Sequence, residues 1–495
     1  MTDSMLLPTV LAFVTAFFAV SWVYFKILKI ALEKNLVDNP DARKLQKRPV
    51  PVMGGIAVFF GVLAGVLAGA AWLSCSGPSS PTRLLPVMCA LSVMLYMGAM
   101  DDILGLTPRS RIVAEVLSLL GVVYASGMAI DHFHGLWGVE GFSWWAAVPL
   151  TVFAGVGIIN AVNMIDGVNG LSSGLCMACC GFFGVAFARA GDTEDAVLAF
   201  ASMGALAPFF IHNVFGLRSR MFIGDAGTMA MGMLLTWFVI RFLNGAGFPQ
   251  DGGLGRCQPV AMVLAILSVP VADTLRVMGL RMFHGYSPFR PDRTHLHHVF
   301  VQVGVSHFIT AMSEIAIGLA VVGIWALSVR LGVGGDGQMY VVIGASACLV
   351  WGTYVSLRYH ARRHTEFLHR LTVFSVRTHL GRTGWWKRLT DWLDAPGVYP
   401  QDWLDAGGLA EQLHRRFGHS GPEYVRELRE ETRRRMTEFM RGRAEVMVRD
   451  LLSNSGADRG VLVEVLLEEI AEGRIVVRKT SKRGLPSIVS MKNEE

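Results

Sequence analysis

Asp101 and Asp102 stand side by side at the end of an apolar run covering 84–100. An ionised carboxylate at such a place is costly unless water, a metal or a basic group meets it, so an adjacent pair calls for a cation. Three other apolar stretches also end in polar chemistry: the run through Asn160, Asn163, Asp166, Gly167, Asn169 and Gly170; the run Phe222, Gly224, Asp225, Gly227; and the run Arg290, Asp292, Arg293, His295, His297, His298. Two Arg beside three His suit a clamp for a diphosphate, since charged donors bind phosphate oxygens strongly. A zinc site would need a partner Cys or Glu that the spacing does not supply. Magnesium is held by one or two carboxylates while phosphates complete its shell, which fits paired aspartates. Each segment also has a plain structural use. Asp101 or Asp102 could cap a helix or pair with Arg109 or Arg111, Asp225 could cap the helix that follows it, and the Asn and Gly residues could form an interhelical turn.

The elements that must position these residues are membrane helices. The chain has 495 residues, 52% of them hydrophobic and 17% charged, with mean hydropathy +0.43. That composition excludes an ordinary soluble domain. The fold class expected is all-α, a polytopic bundle of about eleven transmembrane helices with a mainly helical tail. The expected spans are 5–32, 53–75, 84–101, 112–130, 144–161, 171–190, 195–214, 228–243, 259–280, 307–330 and 339–358. All four motif segments then fall on one side, together with Lys34, Arg43, Lys44, Lys47, Arg48, Arg109, Arg111, Arg218, Arg220, Arg281, Arg290 and Arg293. The bias of basic residues toward the cytoplasm makes that face, and the C-terminus, cytoplasmic. The same bias accounts for the net charge of +6 without nucleic acid. Cys75, Cys89, Cys176, Cys179, Cys180, Cys257 and Cys348 have no disulfide or zinc spacing and read as packing residues. Roughly half of the charged residues follow residue 360, which divides the chain into a membrane domain, 1–360, and a tail, 361–495. In the tail, Trp385, Trp386, Lys387, Arg388 and Trp392 suit a headgroup layer, 424–452 reads as a solvated helix, and 461–470 and 475–477 add a helix and a short strand.

Taken together, the segments resemble the polyprenyl-phosphate N-acetylhexosamine-1-phosphate transferase family (glycosyltransferase family 4). The matching residues are Asp38 to Pro40 with Arg43 and Lys44, Pro51 to Gly55, Gly98 to Asp102, Asn160 to Gly170, Phe222 to Gly227, Asp273, and Ser287 to His298. The form of the last segment is similar to the branch that uses UDP-N-acetylglucosamine. The resemblance implies transfer of a sugar 1-phosphate from a UDP-amino sugar to undecaprenyl phosphate, with release of UMP and a requirement for Mg²⁺, Mn²⁺ serving as a substitute. It implies Asp101, Asp102 and Asp166 as catalytic carboxylates, with Asp101 deprotonating or orienting the lipid phosphate. Asp225 and Asp102 become magnesium ligands. Lys44, Asn160, Asn163, Arg293, His295, His297 and His298 become substrate-binding residues. Asn169 departs from the pattern, where a second Asp is usual, and Gln46 stands where many members have a His.

The expected setting is a bacterial plasma membrane, multi-pass, at the first membrane step of envelope glycan synthesis, such as cell wall or lipopolysaccharide. Expected partners are the UDP-amino sugar, the polyprenyl phosphate and the membrane, with a homodimer and tail-bound envelope-synthesis proteins as further candidates. Another UDP-amino sugar is the alternative donor. A transporter would place its carboxylates near the bilayer midplane and show internal repeats, and an inactive scaffold would not need four intact aspartates.

Overall fold

In the computed structural model the described residues are 3–34, 36–38, 50–76, 81–216, 219–246, 257–288, 294–363, 366–377, 384–394, 422–441 and parts of 443–491. They divide into two compact units, one made of Met1–Asp38, Val50–His295 and Ala311–Gly352, the other of Asn39–Pro49, Leu296–Thr310 and Thr353–Glu495.

The first unit is helical. In chain order its helices are α1 (Asp3–Glu33), α2 (Gly54–Ser76), α3 (Leu85–Leu104), α4 (Pro108–Ser126), α5 (Trp144–Met164), α6 (Leu171–Ala190), α7 (Thr193–Phe215), α8 (Gly224–Arg241), α9 (Pro259–Ile266) and α10 (Ser268–Phe283). After α11 (Leu296–Gln302) come α12 (His307–Arg330) and α13 (Gly335–Ser346). Two short antiparallel pairs accompany them, β1 (Val37–Asp38) with β2 (Val50–Pro51) and β3 (His132–Leu136) with β4 (Val139–Gly141). Helix α8 is apolar on every side and is the buried centre, packed against α3, α5, α2 and α6. Small residues let its neighbours approach: a Cβ on Gly232 would lie 2.6 Å from the Ile159 Cα of α5.

Among the described residues nine helices are long and apolar enough to cross a membrane, or ten if one bent pair is a single span, so the expected eleven is not confirmed. The stretch expected at 259–280 is two helices, α9 and α10, bent by 79° at Leu267, so it is a broken span or a re-entrant loop. The stretch expected at 112–130 is α4, and Arg109, Arg111 and Glu115 make it too polar to count. Arg111 and Glu115 take part in the site described below.

The far end of α8 is tied down by charge. Arg241 pairs with Asp195 at 2.5 Å and with Asp192, and Trp237 donates to Asp195 at 2.7 Å. Asp192 and Asp195 both lie in the first turn region of α7, where carboxylates meet the positive helix end.

In the second unit, α14 (Gly352–Arg363), α15 (Glu366–Arg377) and α16 (Gly384–Leu393) precede α17 (Pro422–Met440) and the strands β5 (Val446–Met447), β6 (Ile475–Thr480) and β7 (Pro486–Met491). The strands form an antiparallel sheet in the order β5-β7-β6. Helix α17 is shorter than expected and is not simply solvated: Met436 and Met440 are buried with Leu451, Leu462, Val465, Ile475 and Val489. Where the pattern suggested one short strand there are three, because β5 has only two residues and β6 and β7 do not alternate cleanly between apolar and polar side chains. Within this unit the loop after α11 is held by α15: Ser306 N–H donates to Ser375 Oγ at 2.6 Å, and Thr372 Oγ1 donates to the Val303 carbonyl at 3.2 Å.

Candidate active site

Helix α3 ends because Gly105 takes a left-handed φ of 65° and returns its N–H to the Asp101 carbonyl at 2.8 Å. Asp101 and Asp102 therefore sit in the last turn, at the negative end of the helix, where carboxylates are disfavoured unless offset. The two find different offsets. Asp101 accepts from Leu106 N–H at 2.6 Å through Oδ1 and from Arg111 Nη1 at 2.6 Å through Oδ2. Asp102 reaches the start of α8, where Oδ1 accepts from Asp225 N–H at 2.9 Å and Oδ2 from Ala226 N–H at 3.1 Å. Asp102 thus satisfies two of the N–H groups that an α-helix leaves unpaired at its start. A carboxylate from another helix does what the sequence suggested Asp225 might do for its own.

Asp225 is left to face outward, with its side chain 32% exposed and Arg111 Nη1 at 3.3 Å from Oδ2. Gly224, at φ 71°, makes the turn that aims it. The start of α8 is fixed on its other flank by backbone pairing with 51–55. Phe222 N–H donates to Pro51 at 2.8 Å, Gly54 N–H to Phe222 at 3.0 Å and Gly55 N–H to Ile223 at 2.8 Å. A Cβ on Gly54 would stand 2.6 Å from the Phe222 carbonyl, which explains the small residues in that motif.

From α5, Asn163 Oδ1 accepts from Thr228 Oγ1 at 3.2 Å, joining it to the first turn of α8. Asn160 donates through Nδ2 to Glu115 Oε2 at 2.7 Å and to the Val156 carbonyl at 2.9 Å, which leaves its carbonyl oxygen as the group it presents. Asp166 lies in the turn after α5 and accepts from Ser172 Oγ at 2.7 Å. Burial pushes its carboxyl up to about 6 against the opposing Ser172 hydrogen bond, with Asp38 adding to the rise. His295 is buried, its Nδ1 at 2.8 Å from Asp273 Oδ2. Arg276 holds the other oxygen of Asp273 at 2.6 Å and donates to the Thr294 carbonyl at 2.7 Å. In the second unit His297 is buried, with its ring centroid 4.3 Å from that of His298. Lys44 and Arg293 lie outside the described residues.

The structure therefore joins Asp101, Asp102, Arg111 and Asp225 in one charge cluster, with Asn163 on the same helix start. It separates the paired aspartates by role: Asp102 is a helix-capping group, and Asp101 and Asp225 share a cation. Glu115 and Arg276 carried no role in the sequence reading. Their signal was present as charges inside otherwise apolar stretches, which membrane helices hold only where a partner exists.

A divalent cation fits this donor set. No group of three or more His, Cys, Asp or Glu among the described residues would hold a metal alone. Asp225 and the outer oxygen of Asp101 converge from two helices onto one nitrogen, and Mg²⁺ takes one or two carboxylates and completes its shell with substrate phosphate and water.

The fold and site define a polytopic membrane protein with a cation-ready carboxylate cluster at the junction of helix ends. Glycosyl transferase family 4 matches residues 84–243, which hold Asp101, Asp102, Arg111, Asp166 and Asp225. The chain is 30% identical over 289 residues to undecaprenyl-phosphate alpha-N-acetylglucosaminyl 1-phosphate transferase of Salmonella typhi, covering 57% of this chain and 73% of that protein. It is 29% identical over 326 residues to the protein of that name in Yersinia pestis, covering 64% and 81%. It is 28% identical over 319 residues to a probable undecaprenyl-phosphate N-acetylglucosaminyl 1-phosphate transferase of Bacillus subtilis (strain 168), covering 64% and 84%. The chain belongs to glycosyl transferase family 4.

Proposed function

We propose that this protein transfers N-acetylglucosamine 1-phosphate from UDP-N-acetylglucosamine to undecaprenyl phosphate. A phosphate oxygen of the lipid attacks the β-phosphorus of the nucleotide sugar, the bond from that phosphorus to the bridging oxygen breaks, and UMP leaves. The observation that carries the reading is the Asp101, Arg111, Asp225 cluster, lying within the matched family region of a chain whose relatives bear that name.

Both substrates are anionic, so the chemistry depends on offsetting repulsion and on alignment. Asp225, with Asp101, would hold Mg²⁺, which would supply charge neutralisation across the diphosphate. Asp101 orients the lipid phosphate and takes its remaining proton when one is present. Asp102 acts through α8 by fixing where Asp225 points. Asp166 completes the catalytic carboxylates, and Lys44, Asn160, Asn163, Arg293, His295, His297 and His298 bind substrate. Asp273 keeps the His295 ring oriented through Nδ1. The displacement is single. The excess of basic residues on the motif side supports a cytoplasmic orientation of this face at a bacterial plasma membrane.

The test is Mg²⁺-dependent UMP release by detergent-purified protein with UDP-N-acetylglucosamine, with and without undecaprenyl phosphate. Release that requires both lipid and metal and is lost in Asp225→Asn supports the reading. Activity only with another UDP-amino sugar would correct the donor, and UMP release without lipid would replace single displacement by an enzyme-bound intermediate.

A further inference from the structure

Arg111 meets Asp101 at 2.6 Å and Asp225 at 3.3 Å through the same atom, Nη1. A Mg²⁺ ion shared by those two oxygens would lie about 2.0–2.1 Å from each and would draw on the same lone pairs that this nitrogen now contacts. The guanidinium and a bridging divalent cation would therefore compete for the same two oxygens. The arrangement also opens to one side: Arg111 and Asp225 have side chains 30% and 32% exposed, while Asp101 is 6% exposed. We propose that Arg111 is a resident counter-cation which holds Asp101 and Asp225 in the metal-free protein and is displaced when the divalent cation binds. The proposal rests on the magnesium reading above and assigns a competitor to that site.

Physical chemistry supplies both halves of the exchange. Without a cation, two carboxylates at a helix C-terminus and a helix start repel, and Asp101 is too buried for water to screen it. With the metal in place the guanidinium has somewhere to go. Glu115 is one helical turn further along α4, is 2% exposed and already carries a hydrogen bond from Asn160. Among the described residues Nη1 makes both carboxylate contacts, so Nε and Nη2 stay available to phosphate oxygens.

The experiment uses the full chain in detergent and Mn²⁺ alone as probe, with free Mn²⁺ read by electron paramagnetic resonance. Arg111→Gln should bind Mn²⁺ about tenfold more tightly than the native protein, because one competing charge is gone at contact range. Arg111→Lys should stay near the native affinity, and Asp225→Asn should lose binding. In EDTA, Arg111→Gln should melt below the native protein, and Mn²⁺ should raise its melting point by the larger amount. Equal or weaker Mn²⁺ binding by Arg111→Gln overturns the proposal, since a purely structural or phosphate-binding arginine gives that result. A second measurement needs no variant: phenylglyoxal labelling of Arg111, read by peptide mass spectrometry, should rise when Mn²⁺ is added to the native protein, and labelling that stays level or falls overturns it. Absence of saturable Mn²⁺ binding in both native and Arg111→Gln proteins overturns it as well, while lipid-dependent UMP release tests the transferase reading separately.

Discussion

Asp102→Asn separates the two uses a carboxylate can have at this site. In the structure both oxygens of Asp102 accept backbone N–H groups at the start of α8. Asparagine keeps one acceptor and turns an NH₂ toward the second N–H, so one hydrogen bond to a charged acceptor is lost and a buried donor is left unpaired. Loss of such a bond costs about 1.5–3 kcal/mol. The negative charge at the positive end of α8 is also removed, for about another 0.3–1 kcal/mol. The expected destabilisation is thus about 2–4 kcal/mol, which lowers the melting point of the detergent-solubilised protein by several degrees. Asp225→Asn is the control, because its partly exposed side chain accepts from Arg111 and lies beside Asp101, so trading its charge for an amide should change stability by about 1 kcal/mol or less. Thermal unfolding followed by tryptophan fluorescence, with Mn²⁺ binding measured on the same preparations, reads both effects. If Asp102→Asn melts like the native protein yet loses Mn²⁺, Asp102 is a metal ligand and the capping argument is wrong.

Arg241→Met should destabilise the fold by about 3–5 kcal/mol, because Asp195 is left as a buried charge without its cation and Asp192 keeps only the more distant Arg83, at 3.7 Å. The folded fraction should keep the native KM, and a changed KM would mean that the far end of α8 is coupled to the site. Asp166 has a carboxyl pushed up to about 6 by burial, so the folded state binds that proton more tightly than the unfolded chain, whose value is 3.8. Its contribution therefore favours folding most at low pH and declines as pH rises from 3.8 toward about 6; melting curves across that window should show a decline in the native protein that Asp166→Asn lacks. Thr372→Val with Ser375→Ala removes the hydrogen bonds by which α15 holds 303–306, just after the His297 and His298 segment. We expect a severalfold fall in kcat/KM at unchanged Mn²⁺ binding, and an unaltered kcat/KM would free the tail from any part in the reaction.

The helical character of the chain was legible in the sequence for local reasons, and four polar segments stood out against it. A long apolar run has few solutions other than a membrane helix, and a carboxylate or imidazole at its end stands out against that background. What the aspartates do was not legible. Asp102 finds its donors 123 residues away at Asp225, and Asp101 and Asp225 meet only through Arg111, so adjacency in the chain predicted a shared role that the fold divides. The count of spans was not confirmed for a related reason. Hydropathy registers a 22-residue apolar stretch but not the 79° bend between α9 and α10, and it treats Arg109, Arg111 and Glu115 as isolated blemishes when two of them are partners of site residues. In the tail, α17 looked solvated because its charges dominate the composition, while Met436 and Met440 were buried with residues of strands that lack a clean apolar-polar alternation. Composition and periodicity therefore determined which segments enter a membrane and which residues carry charge at its edge. Only the tertiary structure decided which donor or cation each charge meets, because that depends on helix ends far apart in sequence arriving within hydrogen-bonding distance.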